Sequence, residues 1–142
     1  MVDAQIEQYD YVVIGAGSGG MASARRAAIH GKKVALIENR VIGGTCVNVG
    51  CVPKKVMFQL ANYFEEGHTM KDFGISGIED NKLDFKQFKE KRDAYVKRLN
   101  GIYSTSLANA GVTYYEGTAA FADAKVVEIQ PSGKKVTGEH IL

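Results

Sequence analysis

The residues that build metal centres and disulfide frameworks are scarce in this chain. Its 142 residues include two cysteines and three histidines. Two thiolates are too few for a structural zinc site. His30, His68 and His140 are scattered rather than set at zinc-ligand spacing, so no metal is expected. A charge excess is missing as well: 18 basic against 16 acidic residues leave +2, which gives no electrostatic case for nucleic acid or an anionic membrane. No apolar run approaches the ~20 residues needed to span a bilayer. Residues 1–8 carry acids and neither Arg nor Lys, unlike a secretory signal or an Arg-rich transit peptide. The default compartment is therefore the cytosol, with a mitochondrial form left open. There a cysteine pair is more often catalytic than structural. Proline is scarce, at two, and no internal repeat or low-complexity segment is found. The length fits one domain, which typically holds about 100–150 residues.

Glycine, by contrast, is abundant, at 16, and its placement is specific. Residues 9–14 (Tyr-Asp-Tyr-Val-Val-Ile) read as a buried parallel strand. Gly15-Ala16-Gly17-Ser18-Gly19-Gly20 follows at once and fits G-x-G-x-x-G through Gly15, Gly17 and Gly20. A helix is expected over 21–30 with Gly31 as its stop, then a second strand over 33–38 ending in Glu38. Strand, glycine turn, helix, strand and acid together make the dinucleotide fingerprint. The first glycine allows the tight turn, the second lets a pyrophosphate approach, and the third lets helix and strand pack closely. The helix N-terminus favours phosphate. Glu38 stands where an acid accepts from ribose hydroxyls and disfavours a 2′-phosphate. A bare glycine motif would read as an ordinary turn, and Glu38 alone as a surface acid.

Both cysteines lie in the stretch 43–55, Gly-Gly-Thr-Cys-Val-Asn-Val-Gly-Cys-Val-Pro-Lys-Lys. A Cys46–Cys51 bridge would close a loop too short for much chain-entropy stabilisation. A strained, accessible pair is instead the kind that opens and closes as a redox couple. Cys51 lies at the start of a helix expected over 52–68, and Lys54 and Lys55 add positive charge, all of which favours thiolate. The competing reading is a pair of buried, inert thiols. A nicotinamide unit does not readily reduce a disulfide directly, whereas a flavin acts between the two, so the bound dinucleotide reads as FAD.

Past the cysteines, Met57 and Phe64 read as core. A surface connection spans 67–84, with turn residues Gly74, Gly77, Asp80 and Asn81. A long amphipathic helix follows over 84–110, with Asp84 as N-cap. Short strands are expected over 112–116, 119–121, 125–130 and 134–139, with turns at 123–124 and 131–133. The fold class is α/β: a Rossmann-like parallel sheet with helices and an appended antiparallel β-meander. His140-Ile141-Leu142 reads as the start of a further strand, which suggests truncation.

The glycine motif over 15–20 and Gly-Thr-Cys-Val-Asn-Val-Gly-Cys over 44–51 resemble the class I pyridine nucleotide–disulfide oxidoreductases. The Pro-Lys-Lys at 53–55 is similar to the glutathione, trypanothione and large thioredoxin reductases of that family, and Ala22, Arg25 and the 88–107 stretch favour the glutathione branch. The resemblance implies an FAD-binding domain over 1–142 with a redox-active disulfide. In it Cys46 would be the interchange thiol that attacks glutathione disulfide, Cys51 the flavin-side thiol, and Lys54 a neighbour of the flavin. It further implies FAD contacts at Ser18, Gly19, Glu38, Thr45, Cys46 and Ala119, and glutathione contacts at Ser18, Arg25 and Tyr103. On plainer readings Arg25 is a solvated helix residue and Tyr103 a core aromatic. NADPH as electron donor and a homodimer are implied too. No NADPH domain, with its own glycine motif, and no dimerisation domain are present in these residues, so the chain alone is expected to be inactive. A related reductase of trypanothione or thioredoxin, or a non-catalytic flavin-binding redox module, stands as the alternative.

Overall fold

β-Branched runs with no polar face make strands that must be buried on both sides. β2 (Val34–Glu38) is such a strand, with every residue buried, and β1 (Glu7–Ile14) approaches it only at Val12 and Val13. In the computed structural model, which describes residues 6–77 and 82–142, they pair in parallel with Val13 opposite Leu36. Residues 1–5 of the acid-bearing N-terminus, and Asp80 and Asn81 of the expected connection, lie outside the described residues. The remaining elements in order are α1 (Ser18–Ile29), α2 (Gly44–Asn48), α3 (Cys51–Thr69), a 3-10 turn (Met70–Phe73), α4 (Phe85–Asn109), β3 (Thr113–Glu116), β4 (Thr118–Asp123), β5 (Val126–Gln130) and β6 (Lys134–Ile141).

The α/β reading holds: β1, β2 and β3 are parallel, while β4, β5 and β6 form the antiparallel meander. The meander is not a separate layer, however. Its last strand, β6, pairs in parallel with β1 and makes one six-stranded sheet in the order β3-β2-β1-β6-β5-β4. His140 and Ile141 do not begin a new strand. They complete β6, opposite Tyr11 and Val12 of β1.

This order forces a curl. β3 and β4 stand at opposite edges of the sheet, yet only Gly117 separates them in sequence. The edges must therefore come together, and β4 does lie against β2. Gly117 marks the crossing. Its N–H donates to Glu38 O at 2.8 Å, and a Cβ there would stand 2.6 Å from Gln130 O. The curl encloses one core of Tyr9, Val12, Ala35, Ile37, Val127, Ile129 and Val136. On the other face Val13, Val34 and Leu36 pack under α1 and the C-terminal end of α4 through Met21, Ala24 and Leu107.

The helices depart from the sequence reading in instructive ways. α1 begins at Ser18, so Ser18, Gly19 and Gly20 form its first turn. Asp84 caps α4 as expected, accepting from Gln87 N at 2.9 Å. The connection expected from Gly67 starts later, because α3 runs to Thr69. Met57 and Phe64 are not core: they are 42% and 39% exposed, and no residue of α3 is buried. The apolar stripe of α3 runs along α4 and α2 rather than over the sheet. Of α4, only Leu107 is fully buried.

Candidate functional site

Ligands of open α/β sheets bind beyond the carboxyl ends of the strands, where the strand order switches direction. Here that place is the end of β1, flanked by β2 on one side and β6 on the other. The loop leaving β1 contains Gly15 at φ +103° and returns into α1 so tightly that a Cβ on Gly20 would stand 1.9 Å from Gly15 O. No side chain fits there, and none caps α1, so its first N–H groups face outward beside the exposed Ser18 and Gly19. Such a helix start suits a phosphate. Glu38 ends β2 at the same edge, 9% exposed. Its carboxylate accepts from Ala16 N at 2.7 Å and Arg40 N at 2.8 Å. Each oxygen keeps a further lone pair for a ribose hydroxyl. Glu38, Arg40, Gly44, Thr45 and Asn48 line a cavity of about 330 Å³. The cradle, the free helix start and the placed acid fit a dinucleotide.

The cysteine segment is docked onto this loop by backbone. Gly43 N donates to Ala16 O at 2.8 Å, and Gly44 packs on Gly17. Only left-handed turns, at φ +102° for Gly43 and +61° for Gly44, bring the chain in this close. The helix expected from residue 52 is present and starts at Cys51, and a short helix the sequence did not signal precedes it. Cys46 lies in α2, and Cys51 is the first residue of the 19-residue α3. A single helical turn has no periodicity to detect, so α2 left no signal in the sequence.

Both cysteines are free thiols, Cys46 half-buried and Cys51 exposed. They lie side by side. Hydrogen bonding with the Cys51 thiol is the main influence that pushes the Cys46 thiol above its usual pKa, followed by burial and the Cys51 charge. The Ser18 hydroxyl pulls the other way. Lys54 is exposed on α3, one turn past Gly50, and borders a cleft of about 610 Å³ with Asn48, Val49, Arg92 and Asn100.

The other predicted positions separate. Arg25 lies on the exposed side of α1 and lines a cleft of about 760 Å³ against α4, with Arg98, Gly101, Ile102, Thr105 and Ser106. Neither Arg25 nor Arg98 has a carboxylate partner among the described residues. Tyr103 sits elsewhere, half-buried against the α1 side of the core. Ala119 packs on β4 inside the curl, two residues past the Gly117–Glu38 contact. Sequence reasoning missed Arg98. It belongs to the charged half of α4, and only the packing against α1 sets it beside Arg25. Also missed was the pairing of Asn48 with Asn100, 52 residues apart.

A family model described as pyridine nucleotide-disulphide oxidoreductase matches residues 9–142. The chain belongs to this family. Among pyridine nucleotide-disulphide oxidoreductases it is 56% identical over 125 residues to the glutathione reductase of Debaryomyces hansenii, covering 84% of this chain and 26% of that protein. It is 53% identical over 119 residues to that of Yarrowia lipolytica, covering 82% and 25%. To the glutathione reductase of Schizosaccharomyces pombe it is 50% identical over 122 residues, covering 85% and 26%. The chain spans about a quarter of the length of these curated relatives. No described helix is long and apolar enough to cross a membrane, and no cluster among the described residues would hold a metal.

Proposed function

We propose that this chain is the FAD-binding, dithiol-bearing part of a glutathione reductase, which uses NADPH to reduce glutathione disulfide. One observation carries the reading. The glycine cradle and the cysteine segment are packed together, Gly43 N donating to Ala16 O at 2.8 Å and Gly44 lying on Gly17. The three glutathione reductases similar to this chain support the choice of substrate.

Gly15, Gly17, Ser18, Gly19 and Gly20 would hold the FAD pyrophosphate and Glu38 its ribose, with Thr45, Cys46, Lys54 and Ala119 along the rest. FAD, when bound, supplies two-electron transfer from NADPH to the disulfide. The chain's own thiols do the rest. Cys46, as thiolate, attacks one sulfur of glutathione disulfide. A mixed disulfide forms and one glutathione thiolate leaves. Cys51, the first residue of α3, attacks the Cys46 sulfur as thiolate. The internal disulfide closes, and the second glutathione departs. Hydrogen bonding with Cys51 raises the Cys46 thiol above its usual pKa, so a base would assist the attack. On the family reading, that base would come from the partner subunit of a homodimer. Arg25 would pair with a glutathione carboxylate, with Ser18 and Tyr103 completing the substrate contacts.

The test is NADPH oxidation by the full-length protein with glutathione disulfide, trypanothione disulfide and oxidised thioredoxin in turn. Preference for glutathione disulfide supports the proposal. Preference for either other substrate, or no turnover of any, overturns it. The 142-residue chain alone is expected to show none, and oxidation above background would contradict that expectation.

A further inference from the structure

α2 has five residues, too few to hold itself as a helix. It stays formed because two asparagines clasp it. Asn48, its last residue, donates its side-chain amide to Gly44 O at 2.9 Å, Ile42 O at 3.2 Å and Val41 O at 3.3 Å. Asn100, in the middle of α4, donates to the same Ile42 O at 2.8 Å and to Asn48 Oδ1 at 3.0 Å. The amide orientations follow from the partners. Turning Asn48 around would aim its oxygen at three carbonyls, and turning Asn100 around would aim its oxygen at Ile42 O and Asn48 Oδ1. Segment 41–48, with Cys46 near its middle, is thereby closed on itself and anchored to a 25-residue helix.

We propose that Asn100 is a positioning residue for the Cys46–Cys51 pair: through Asn48 it holds α2 where Cys46 meets Cys51, and so stabilises the disulfide between them. The reason is effective concentration. Two thiols held in contact lose little freedom on bonding, whereas a loosened α2 must be ordered again each time the bond forms. Neither asparagine touches a reacting atom. The inference rests on the reading above only in taking the pair as one that cycles between dithiol and disulfide.

The test is a redox equilibrium of the chain with oxidised and reduced dithiothreitol, read by thiol alkylation and mass. In it the two S–H bonds of Cys46 and Cys51 give way to one S–S bond. The reagent's S–S bond opens, and the two electrons and two protons pass to its sulfurs. Asn100→Asp keeps the shape but cannot donate to Ile42 O, and Asn100→Ala removes the clasp. Both are expected to lower the equilibrium constant for disulfide formation about tenfold, which at ~30 mV per decade raises the potential by about 30 mV. Asn48→Ala should do the same, and the Asn48→Ala/Asn100→Ala double variant should lose little more than either single. Variants that melt at lower temperature with an unchanged equilibrium constant overturn the inference, as do variants that fail to fold. A wild-type chain that forms no internal disulfide sinks the redox reading itself, a distinguishable result.

Discussion

A methyl group on Gly44 would stand 2.7 Å from Gly17 Cα. The glycine turn after β1 and the cysteine segment therefore meet as two bare backbones. Gly44 also sits at φ +61°, which costs an L-residue roughly 1–2 kcal/mol before any clash. Gly44→Ala is expected to destabilise the chain by at least about 2 kcal/mol in urea unfolding. Gly101→Ala is the contrast. It sits inside α4 with nothing within 4 Å of its added Cβ, and should stabilise by about 0.5–1 kcal/mol. Equal effects from both would mean the glycine contact is not tight.

The curl of the sheet is testable at Gly117. An added Cβ would press on Gln130 O at 2.6 Å and Ile129 Cγ2 at 2.7 Å. Overpacking of this kind costs about 1–3 kcal/mol, and Gly117→Ala should lower Tm accordingly. The loss should concentrate in hydrogen-exchange protection of β4 and β5. Unchanged protection there would contradict the joining of the two sheet edges.

Acid should loosen the strand end beneath the curl. Glu7 pairs with Lys134 at 2.8 Å and accepts from the hydroxyls of Tyr9 at 2.7 Å and Tyr115 at 2.9 Å. Hydrogen bonding from Lys134, then from Tyr9 and Tyr115, holds the carboxyl well below its ordinary 4.5, at about 2. A lowered folded value means this stabilisation is complete above pH 4.5 and is lost as pH falls toward 2. The Glu7 side chain is 37% exposed, so solvent screening limits the effect to about 1 kcal/mol or less. Glu7→Gln should be slightly less stable than wild type at pH 7, and the gap should narrow as pH falls below 4.5 and close toward pH 2. A gap that widens in acid would contradict the assignment.

Arg25→Ala separates binding from chemistry. Loss of a charge-assisted hydrogen bond of roughly 1.5–3 kcal/mol should raise KM for glutathione disulfide tenfold or more in the full-length protein. kcat should be little changed, and added salt should weaken wild-type binding more than that of the variant. An unaltered KM would return Arg25 to an ordinary solvated residue.

Much of this was legible because burial leaves a period. The apolar run of β2 up to Glu38, the glycine turn after β1 and the Asp84 cap each follow from residues close in sequence. What stayed hidden depends on distant partners. Nothing local tells β6 to pair with β1, so His140 and Ile141 looked like a new strand. Met57 and Phe64 have helical spacing whether their stripe meets the sheet or only neighbouring helices. The Asn48–Asn100 clasp joins residues 52 apart through amides that any loop could carry.

The central claim is that the glycine cradle holds a flavin beside Cys51. The most direct measurement is the visible spectrum of the full-length protein during two-electron reduction. A flavin spectrum that gains a long-wavelength shoulder, retained in Cys46→Ser and absent from Cys51→Ser, is the predicted result. A shoulder that survives Cys51→Ser, or a protein that binds no flavin, would contradict it.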